Sequence, residues 1–528
     1  MSALTIPILF LVFVLCCWLL FKKHEDQRRF WRQLGVPLLD PIPFFGQKEF
    51  SSIFNKSYFE IIHSLYQNAR SRGLKYCTVF QFSEPSLMVL DPQLIGRILA
   101  KDASHFADRF DRSLDFSDHH PMSQRLFSVS GLAWKDISKF VSPVVSPGRI
   151  NFLIEEMERG FQQIHHLIDS KTFDIVNADL FAFQLNEDLV GQATLGVPLH
   201  DRSGSLSKVT RTIKSFFDAS VANWFKFYIP LVFPWFSFLS VPKISDGALG
   251  NFIKEIMPLR RINETGRRND VFQFFVSSKN KRGARRELFD EFDSPQADCT
   301  QKDDSENLEV LVNNPENRDI SRRIFWFLVD GLGTNAAALT FVLHLISLHP
   351  ECQEKVRQEV GQTLRDRGES QMTYQVVKDL RYTHKVVKEC LRFYTPMSML
   401  QRVCTKKYNI PDSSVFIPEG TKIIIPIYSI HRDPQFFPDP LIFNPSRFDD
   451  LSKIIPYTFM PFGEGPRFCI GFRFGMAYLK FVVAKLVSKI VIQPLSTDKD
   501  VLVLHPFSPE VLKSREDILI KYVKHSDC

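Results

Sequence analysis

The sequence lacks the motifs of several common enzyme classes. Its nine cysteines include no CxxC pair, and no HExxH, Walker A or GxSxG motif occurs in the 528 residues. An odd number of dispersed cysteines disfavours a disulfide framework or a zinc site, and it favours a reducing, cytosol-facing environment. The formal net charge is only +7, which is too small for this length to indicate a nucleic-acid partner. The chemistry must therefore come from residues outside these motifs.

Charge is also absent from residues 1–21. This apolar run can just span a bilayer as a helix. Basic side chains follow it closely, at Lys22, Lys23, Arg28, Arg29 and Arg32. Because positively charged flanks stay in the cytoplasm, we predict a transmembrane signal anchor with the rest of the chain in the cytosol. A cleaved signal peptide is the alternative, but no basic side chain precedes the run and no A-x-A site closes it.

The remainder of the chain has the pattern of one large, mainly α domain with a minor β region. Residues 22–46 are predicted to form a basic and proline-rich linker, and residues 47–528 the main domain. Amphipathic helical patterns dominate its first half, with a strand candidate at residues 76–82. Residues 408–434 have the β-branched runs and turn residues of a small sheet. Residues 279–317 are charged and polar, which predicts a flexible linker within the domain.

Two segments each allow two interpretations. Phe216–Pro242 is rich in aromatic residues and is interrupted by Pro230 and Pro234, so it is either a buried core segment or a loop that dips into the membrane face. Residues 331–336 match the GxGxxA form of a dinucleotide-binding fingerprint, which requires a strand, a tight turn and a helix. No proline or polar cluster marks a turn there. We therefore favour one long helix that ends before Pro350.

The clearest candidate for chemistry is Cys469, which has no partner cysteine near it in the sequence. A single thiolate cannot build a zinc or iron–sulfur site, but it suits a haem, whose equatorial nitrogens come with the cofactor. Gly465 and Gly471 permit the backbone to curl around the sulfur. The helix predicted after Gly471 would direct its positive end toward the sulfur. Arg467 is placed to neutralise an anionic group of a planar cofactor, and Phe462 to cover the thiolate.

These residues resemble the haem-binding signature F-x-x-G-x-R-x-C-x-G of the cytochrome P450 family. Its defining positions are filled by Phe462, Gly465, Arg467, Cys469 and Gly471. Other landmarks of the family follow in the expected order. Glu389 and Arg392 look like its ExxR motif, and Arg447 looks like the third member of a buried Glu–Arg–Arg network. The stretches LQRVC and IHRDP are similar to the arthropod detoxifying and vertebrate drug-metabolising branch.

The resemblance implies a cytochrome P450 fold and a role for each matched residue. Cys469 would be the proximal iron ligand of haem b. Arg467, Trp134 and Arg402 would bind the haem propionates. The network of Glu389, Arg392 and Arg447 would keep the haem-binding end rigid.

The same resemblance places the long helix across the distal face of the haem. Thr334 on this helix would help to deliver protons there. The substrate pocket would be lined by residues 119–126, 325–334 and 395–400. These stretches mix apolar and polar side chains, so they do not narrow the substrate beyond a lipophilic small molecule.

The sequence departs from the family pattern in its first haem-facing helix and beside the distal threonine. The family usually has an arginine four residues after its tryptophan, where this chain has Ser138. One propionate contact would then be missing, or supplied by Lys135 or Lys139. The residue before the distal threonine is commonly acidic and supports the proton relay, but it is Gly333 here.

A third departure is Asp330, at a position where the family usually has alanine or glycine. Asp330 lies four residues before Thr334 and therefore on the same face of the helix. Its carboxylate would feed the proton relay or pair with a cationic substrate. The alternative is a solvated or backbone-capping aspartate. Our hypothesis is that Asp330 is functional.

The resemblance predicts a membrane-anchored haem-thiolate monooxygenase that inserts one oxygen atom from O2 into a lipophilic small molecule. Electrons would come from NADPH through a separate flavoprotein reductase, with cytochrome b5 as a further candidate partner. The expected location is the endoplasmic reticulum membrane. Two alternatives stay open: a reductase-independent haem-thiolate isomerase or dehydratase, motivated by Gly333, and a non-catalytic haem- or ligand-binding protein, motivated by Ser138 and the weakened relay.

Overall fold

The computed structural model describes residues 5–42, 46–81, 84–109, 125–169, 175–199, 204–232, 251–252, 254–256, 259, 270–274, 318–496, 499–508 and 511–524. The helices are α1 (Thr5–Gln33), α2 (Tyr58–Ser71), α3 (Pro92–Gly96), α4 (Gly131–Val141), α5 (Pro147–Asp169), α6 (Ala178–Leu195), α7 (Gly204–Phe217), α8 (Val221–Val232), α9 (Arg318–Leu348), α10 (Pro350–Arg367), α11 (Tyr374–Asp379), α12 (Arg381–Phe393), α13 (Ile427–Ile430) and α14 (Phe472–Lys489). The strands are β1 (Tyr76–Gln81), β2 (Glu84–Val89), β3 (Ile175–Asn177), β4 (Leu400–Val403), β5 (Tyr408–Asn409), β6 (Phe416–Ile417), β7 (Lys422–Ile425), β8 (Ile490–Pro494) and β9 (Leu519–Lys524). The predicted mainly α fold with a minor β region is confirmed.

The largest sheet in the described part of the chain joins its two halves, in the strand order β1-β2-β7-β4. β1 and β2 are antiparallel, and the predicted strand at residues 76–82 is β1. β2 runs parallel to β7, pairing Leu87 with Ile423. β4 is antiparallel to β7, and Arg402 pairs with Ile423. Main-chain hydrogen bonds fix this register, so Arg402 on β4 has a defined position relative to β1 and β2 from the N-terminal half of the chain.

The helix α9 runs without interruption through Gly331 and Gly333. No strand or turn occurs there, so the dinucleotide-fingerprint interpretation is wrong and the predicted long helix is confirmed. Of the helices in the described ranges, the apolar part of α9, Arg322–Leu348, is the one long and apolar enough to cross a membrane, but most of it is buried in the protein core. It packs against α6, α12 and α14. A helix that is apolar on most sides is expected in such a central position.

The N-terminal helix α1 continues past the predicted end of the anchor at residue 21 and ends at Gln33. Its basic segment contains Glu25, which pairs with Arg28 at 3.2 Å and lies 3.8 Å from Arg29. Such pairs, three and four residues apart, support helix. The first part of the predicted linker is therefore helical.

Two predictions fall wholly or partly outside the described residues. The flexible linker at residues 279–317 lies outside them, as do residues 233–242 of the aromatic segment Phe216–Pro242. In the described residues 216–232, α7 ends at Phe217 and α8 includes Pro230.

Candidate functional site

A large cavity of about 1180 Å³ lies between α9 and the segment before α14. A small-molecule site usually has a volume of about 300–1000 Å³, so this cavity has room for a cofactor together with a substrate. The predicted site residues that line it are Trp134, Asp330, Thr334, Phe462, Arg467, Cys469 and Gly471. Each of the three predicted substrate stretches also contributes to the lining, the first through Arg125 and Leu126.

One position of the cysteine loop, residue 465, accepts only glycine. Gly465 has φ +73°, and a Cβ atom there would lie 1.7 Å from the carbonyl oxygen of Leu99. Both the positive φ and this close approach require glycine. The loop is closed by the amide of Cys469, which donates to the carbonyl oxygen of Phe462 at 2.9 Å. As predicted, the helix α14 then begins at Phe472, with Gly471 as its N-cap.

Cys469 is exposed and lines the cavity, so its thiol can be reached by a ligand in the cavity. Burial raises the pKa of its thiol, whereas the backbone N–H of Gly471 and the charge of Arg109 oppose this rise. The Gly471 amide is thus placed as the sequence predicts, beside the sulfur. Such a thiol is suited to bind a metal ion, because a bound metal ion stabilises the thiolate form relative to the thiol.

Arg467 reaches away from its own loop into the opposite wall of the site. Its Nε and Nη2 donate to the carbonyl oxygens of Ala107 and Val129, each at 2.9 Å. Its guanidinium lies 4.2 Å from the centre of the Trp134 ring and 3.5 Å from Asp108. The predicted propionate ligands Arg467 and Trp134 are therefore in contact with each other.

Three guanidinium groups are crowded together at this end of the cavity. Arg109 donates to the carbonyl oxygen of Arg467 at 2.9 Å. Burial, followed by the charges of Arg109 and Arg467, lowers the pKa of Arg402. Burial and Arg109 likewise lower the pKa of Arg467, and Asp108 only partly offsets this. Since arginine keeps its charge in proteins, an anion bound at this place would be stabilised by the cluster.

Two buried guanidinium nitrogens in this cluster have no hydrogen-bond partner among the described residues. They are Nη1 of Arg467 and Nη2 of Arg402. A buried unpaired donor is costly, so an anionic ligand at this place would be favoured. Haem carries two carboxylates and binds through one thiolate, so these residues fit it. Arg402 itself is buried and is not among the lining residues, but its neighbour Gln401 lines the cavity.

Ser138 stands where the family usually has an arginine, and basic side chains elsewhere in the site differ in whether they line the cavity. Ser138 lines the cavity, but Lys135 and Lys139 are exposed and are not part of its lining. Arg109 lines the cavity instead. The sequence carried no signal for Arg109, because it lies in an irregular segment far from the signature.

On the opposite wall, Thr334 and Asp330 lie one turn apart on α9. The hydroxyl of Thr334 donates to the carbonyl oxygen of Asp330 at 2.5 Å. The carboxylate of Asp330 is neither simply solvated nor a backbone cap, because Nε and Nη2 of Arg125 donate to its Oδ1 at 3.2 and 3.0 Å. Arg125 was missed as a site residue, although it lies within one of the predicted pocket stretches.

Gly333 stands where the family commonly has an acidic residue, and the ring of Phe217 fills the space that the acidic side chain would need. A Cβ atom on Gly333 would lie 2.2 Å from the ring of Phe217, which is buried at the end of α7. An aspartate or glutamate at this position would require that ring to move. The packing of α7 on α9 therefore leaves no space for an acidic side chain at this position.

The predicted network lies beyond the cavity and is fully connected. Nε and Nη2 of Arg392 donate to the two carboxylate oxygens of Glu389 at 2.7 and 2.8 Å, and both side chains are 0% exposed. Arg447 and the amide of Asn444 donate to Oε1 of Glu389 at 3.2 and 2.9 Å. Arg392 also donates to carbonyl oxygens of two loop residues at 2.8 and 2.9 Å. The network joins α12 to the segment that leads to the cysteine loop.

The chain was compared with known protein families and with curated proteins. The family model described as "Cytochrome P450" matches residues 36–521. "Cytochrome P450 6j1" of Blattella germanica is 27% identical over 95% of this chain and 94% of that relative. "Probable cytochrome P450 6a18" of Drosophila melanogaster is 27% identical over 93% and 94%. "Probable cytochrome P450 6a13" of the same organism is 29% identical over 88% of each.

These relatives are insect proteins, which confirms the predicted resemblance to the arthropod branch. The family supports haem-thiolate monooxygenase activity in general terms, with haem b as its cofactor. The family match extends across almost the whole chain, including the cavity, the cysteine loop and the network. The chain belongs to the cytochrome P450 family.

Proposed function

We propose that this protein inserts one oxygen atom from O2 into a lipophilic small molecule, with electrons from NADPH delivered by a separate flavoprotein reductase. The observation that carries the proposal is the placement of the Cys469 thiol in the wall of a large cavity, near two buried nitrogens of Arg467 and Arg402 that have no hydrogen-bond partner among the described residues. Bound haem supplies the redox chemistry that activates oxygen. The protein supplies the ligand, the anchoring charges and a pocket for the substrate.

On this proposal, Cys469 would ligate the iron and Phe462 would cover the sulfur. Arg467 and Arg402 would donate to the carboxylates of the cofactor through the two nitrogens that have no partner among the described residues, and Trp134 holds Arg467 in place through its ring face. Gly465 and Gly471 keep the backbone close to the sulfur.

The network of Glu389, Arg392 and Arg447 has a structural role in the proposal. It fixes the loop that precedes the signature, because Arg392 and Arg447 together donate to carbonyl oxygens between His431 and Ile442.

The distal wall holds the proton-handling groups. The hydroxyl of Thr334 donates to the carbonyl oxygen of Asp330, and a bound substrate or water would compete for this hydroxyl. Asp330 carries a carboxylate on the same helix face, so it takes the place of the acidic residue that is absent at Gly333. Aromatic and aliphatic side chains form much of the rest of the lining, which suits a lipophilic substrate.

The location that we propose is the endoplasmic reticulum membrane, with the domain facing the cytosol. Residues 1–21 would form the anchor, and the helix α1 extends across most of them. Several large apolar side chains of this segment are exposed, namely Val14, Leu15, Trp18, Leu19 and Phe21. A row of exposed apolar side chains is the feature expected of a lipid-facing helix.

The test is a reconstituted assay with the full chain, NADPH–flavoprotein reductase and a panel of lipophilic compounds. We expect NADPH- and O2-dependent formation of products heavier by one oxygen atom, with the label coming from ¹⁸O2. Omitting the reductase should abolish turnover. Ligand binding without NADPH consumption above background would support the non-catalytic alternative instead.

The packing at Gly333 supports a second candidate, a reductase-independent isomerase or dehydratase. Because Phe217 occupies the place of the acidic residue, oxygen activation has lost one of its usual proton donors. In the same assay, rearrangement of a lipid hydroperoxide without NADPH or reductase would favour this candidate.

A further inference from the structure

The ion pair between Arg125 and Asp330 places two opposite charges inside a largely apolar cavity. Both residues line it. The Arg125 side chain is 8% exposed and that of Asp330 is 37% exposed. A pair with one buried and one partly exposed partner contributes little to stability compared with apolar side chains of the same size. Its presence in the substrate pocket therefore points to recognition rather than to folding.

Arg125 is held firmly in this position. Its guanidinium lies 5.1 Å from the ring centres of both Phe127 and Trp326, and 5.4 Å from that of Phe216. These rings come from three separate parts of the chain: the segment before α4, α7 and α9. Aromatic faces attract a guanidinium, so together they fix Arg125 and, through it, the carboxylate of Asp330.

The two oxygens of Asp330 are used unequally. Both hydrogen bonds from Arg125 end on Oδ1, at 3.2 and 3.0 Å. Oδ2 accepts no hydrogen bond from the described residues, and the side chain is partly open to the cavity. A carboxylate oxygen bordered by apolar side chains favours a ligand that brings a hydrogen-bond donor.

We propose that Asp330 selects substrates that are lipophilic, uncharged and equipped with one hydroxyl or N–H donor, which is bound by Oδ2. A cation is disfavoured because Arg125 already neutralises the carboxylate, and its positive charge lies about 3 Å from the same group. An anion would have to compete with Asp330 for Arg125. This inference rests on the proposed function and narrows its substrate class.

The test uses three ligands with the same apolar cage: adamantanol, its methyl ether and the adamantyl trimethylammonium cation. Dissociation constants are measured by equilibrium dialysis with the haem-loaded full chain. A hydrogen bond to a charged acceptor corresponds to about a 10- to 100-fold preference. We therefore expect the ratio of ether to alcohol dissociation constants to be larger by about this factor in the natural chain than in a variant without Asp330.

The variant pair is Asp330→Ala and Arg125→Met/Asp330→Ala. The single variant removes the carboxylate that pairs with the buried Arg125 and is expected to be less stable. The double variant removes both charges, so it keeps the test possible if the single variant fails to fold. Phe327→Leu is the control, because Phe327 lines the cavity and makes no ring contact with Arg125. It should change the affinity for both neutral ligands while leaving their ratio the same.

The outcomes separate this inference from the proposed function. A reduced, carbon-monoxide-bound haem-thiolate band verifies the site in each sample. If the band is present and the double variant keeps the alcohol preference of the natural chain, the inference is wrong. Tighter binding of the ammonium cation than of the alcohol also overturns it. If the band is absent from the natural chain, the proposed function fails, and this inference fails with it.

Discussion

Replacing Glu389 by leucine is expected to destabilise the protein far more than an equivalent change at its surface. Glu389 is 0% exposed and accepts hydrogen bonds from Arg392, Arg447 and Asn444. Removing one partner of a buried ion pair costs about 3–5 kcal/mol, because it leaves the other charge unpaired. The unfolding entropy is about 2.1 cal/mol/K per residue, or about 1 kcal/mol/K for a chain of this length. The expected decrease in Tm is therefore about 3–5 °C.

The assay is thermal unfolding of the haem-loaded protein, followed by circular dichroism at one fixed scan rate because large proteins often unfold irreversibly. The matched control is Asp379→Asn, which breaks the partly exposed pair of Asp379 with Arg367. Such a pair contributes up to about 1 kcal/mol, so Tm should fall by about 1 °C or less. The double variant Glu389→Leu/Arg392→Met should unfold at a higher temperature than Glu389→Leu alone. Equal Tm values for Glu389→Leu and the control would refute this reasoning.

Three further predictions concern the haem end, the distal helix and acid stability. Arg402→Met should release haem to a scavenger protein about 10- to 100-fold faster and leave the haem-free protein folded, because Nη2 of Arg402 is buried and has no hydrogen-bond partner among the described residues. An unchanged release rate would argue against a contact between Arg402 and a haem carboxylate. Gly333→Asp should lower Tm because its Cβ would meet the Phe217 ring at 2.2 Å, and adding Phe217→Ala should restore part of the loss. No decrease in the single variant would mean that the ring moves freely. Burial and the charge of Arg432 lower the pKa of His63 from 6.5 to about 4. Between these two pH values the unfolded state binds more protons than the folded state, so the stability of the protein falls as the pH falls from 6.5 toward 4. His63→Phe should therefore lose less Tm than the natural chain between pH 7 and pH 5, and equal losses would contradict the assignment.

Local patterns in the sequence were sufficient for the elements that depend on short-range rules. The helix α9 could be predicted because no turn residue interrupts the apolar pattern around Gly331 and Gly333. The cysteine loop could be predicted because glycine, arginine and cysteine at fixed spacing meet the needs of one ligand. Glu389 and Arg392 are three residues apart on one helix, so their contact follows from helix geometry.

The missed features depend on contacts between distant segments. Arg125 meets Asp330 across 205 residues of chain, and Arg109 meets Arg467 across 358. Neither arginine has a neighbour in the sequence that predicts its partner. Phe217 packs on Gly333 only because α7 crosses α9, and an absent side chain carries no sequence signal for what fills its place. Tertiary packing therefore decided the chemistry of the distal pocket.

The central claim is that Cys469 ligates a haem iron as a thiolate. The most direct measurement is the reduced, carbon-monoxide-bound difference spectrum of the membrane-expressed full chain beside Cys469→Ser. We predict a strongly red-shifted Soret band for the natural chain and its loss in the variant, with circular dichroism showing that both are folded. A red-shifted band that persists in Cys469→Ser, or its absence from folded natural protein supplied with haem, would contradict the account.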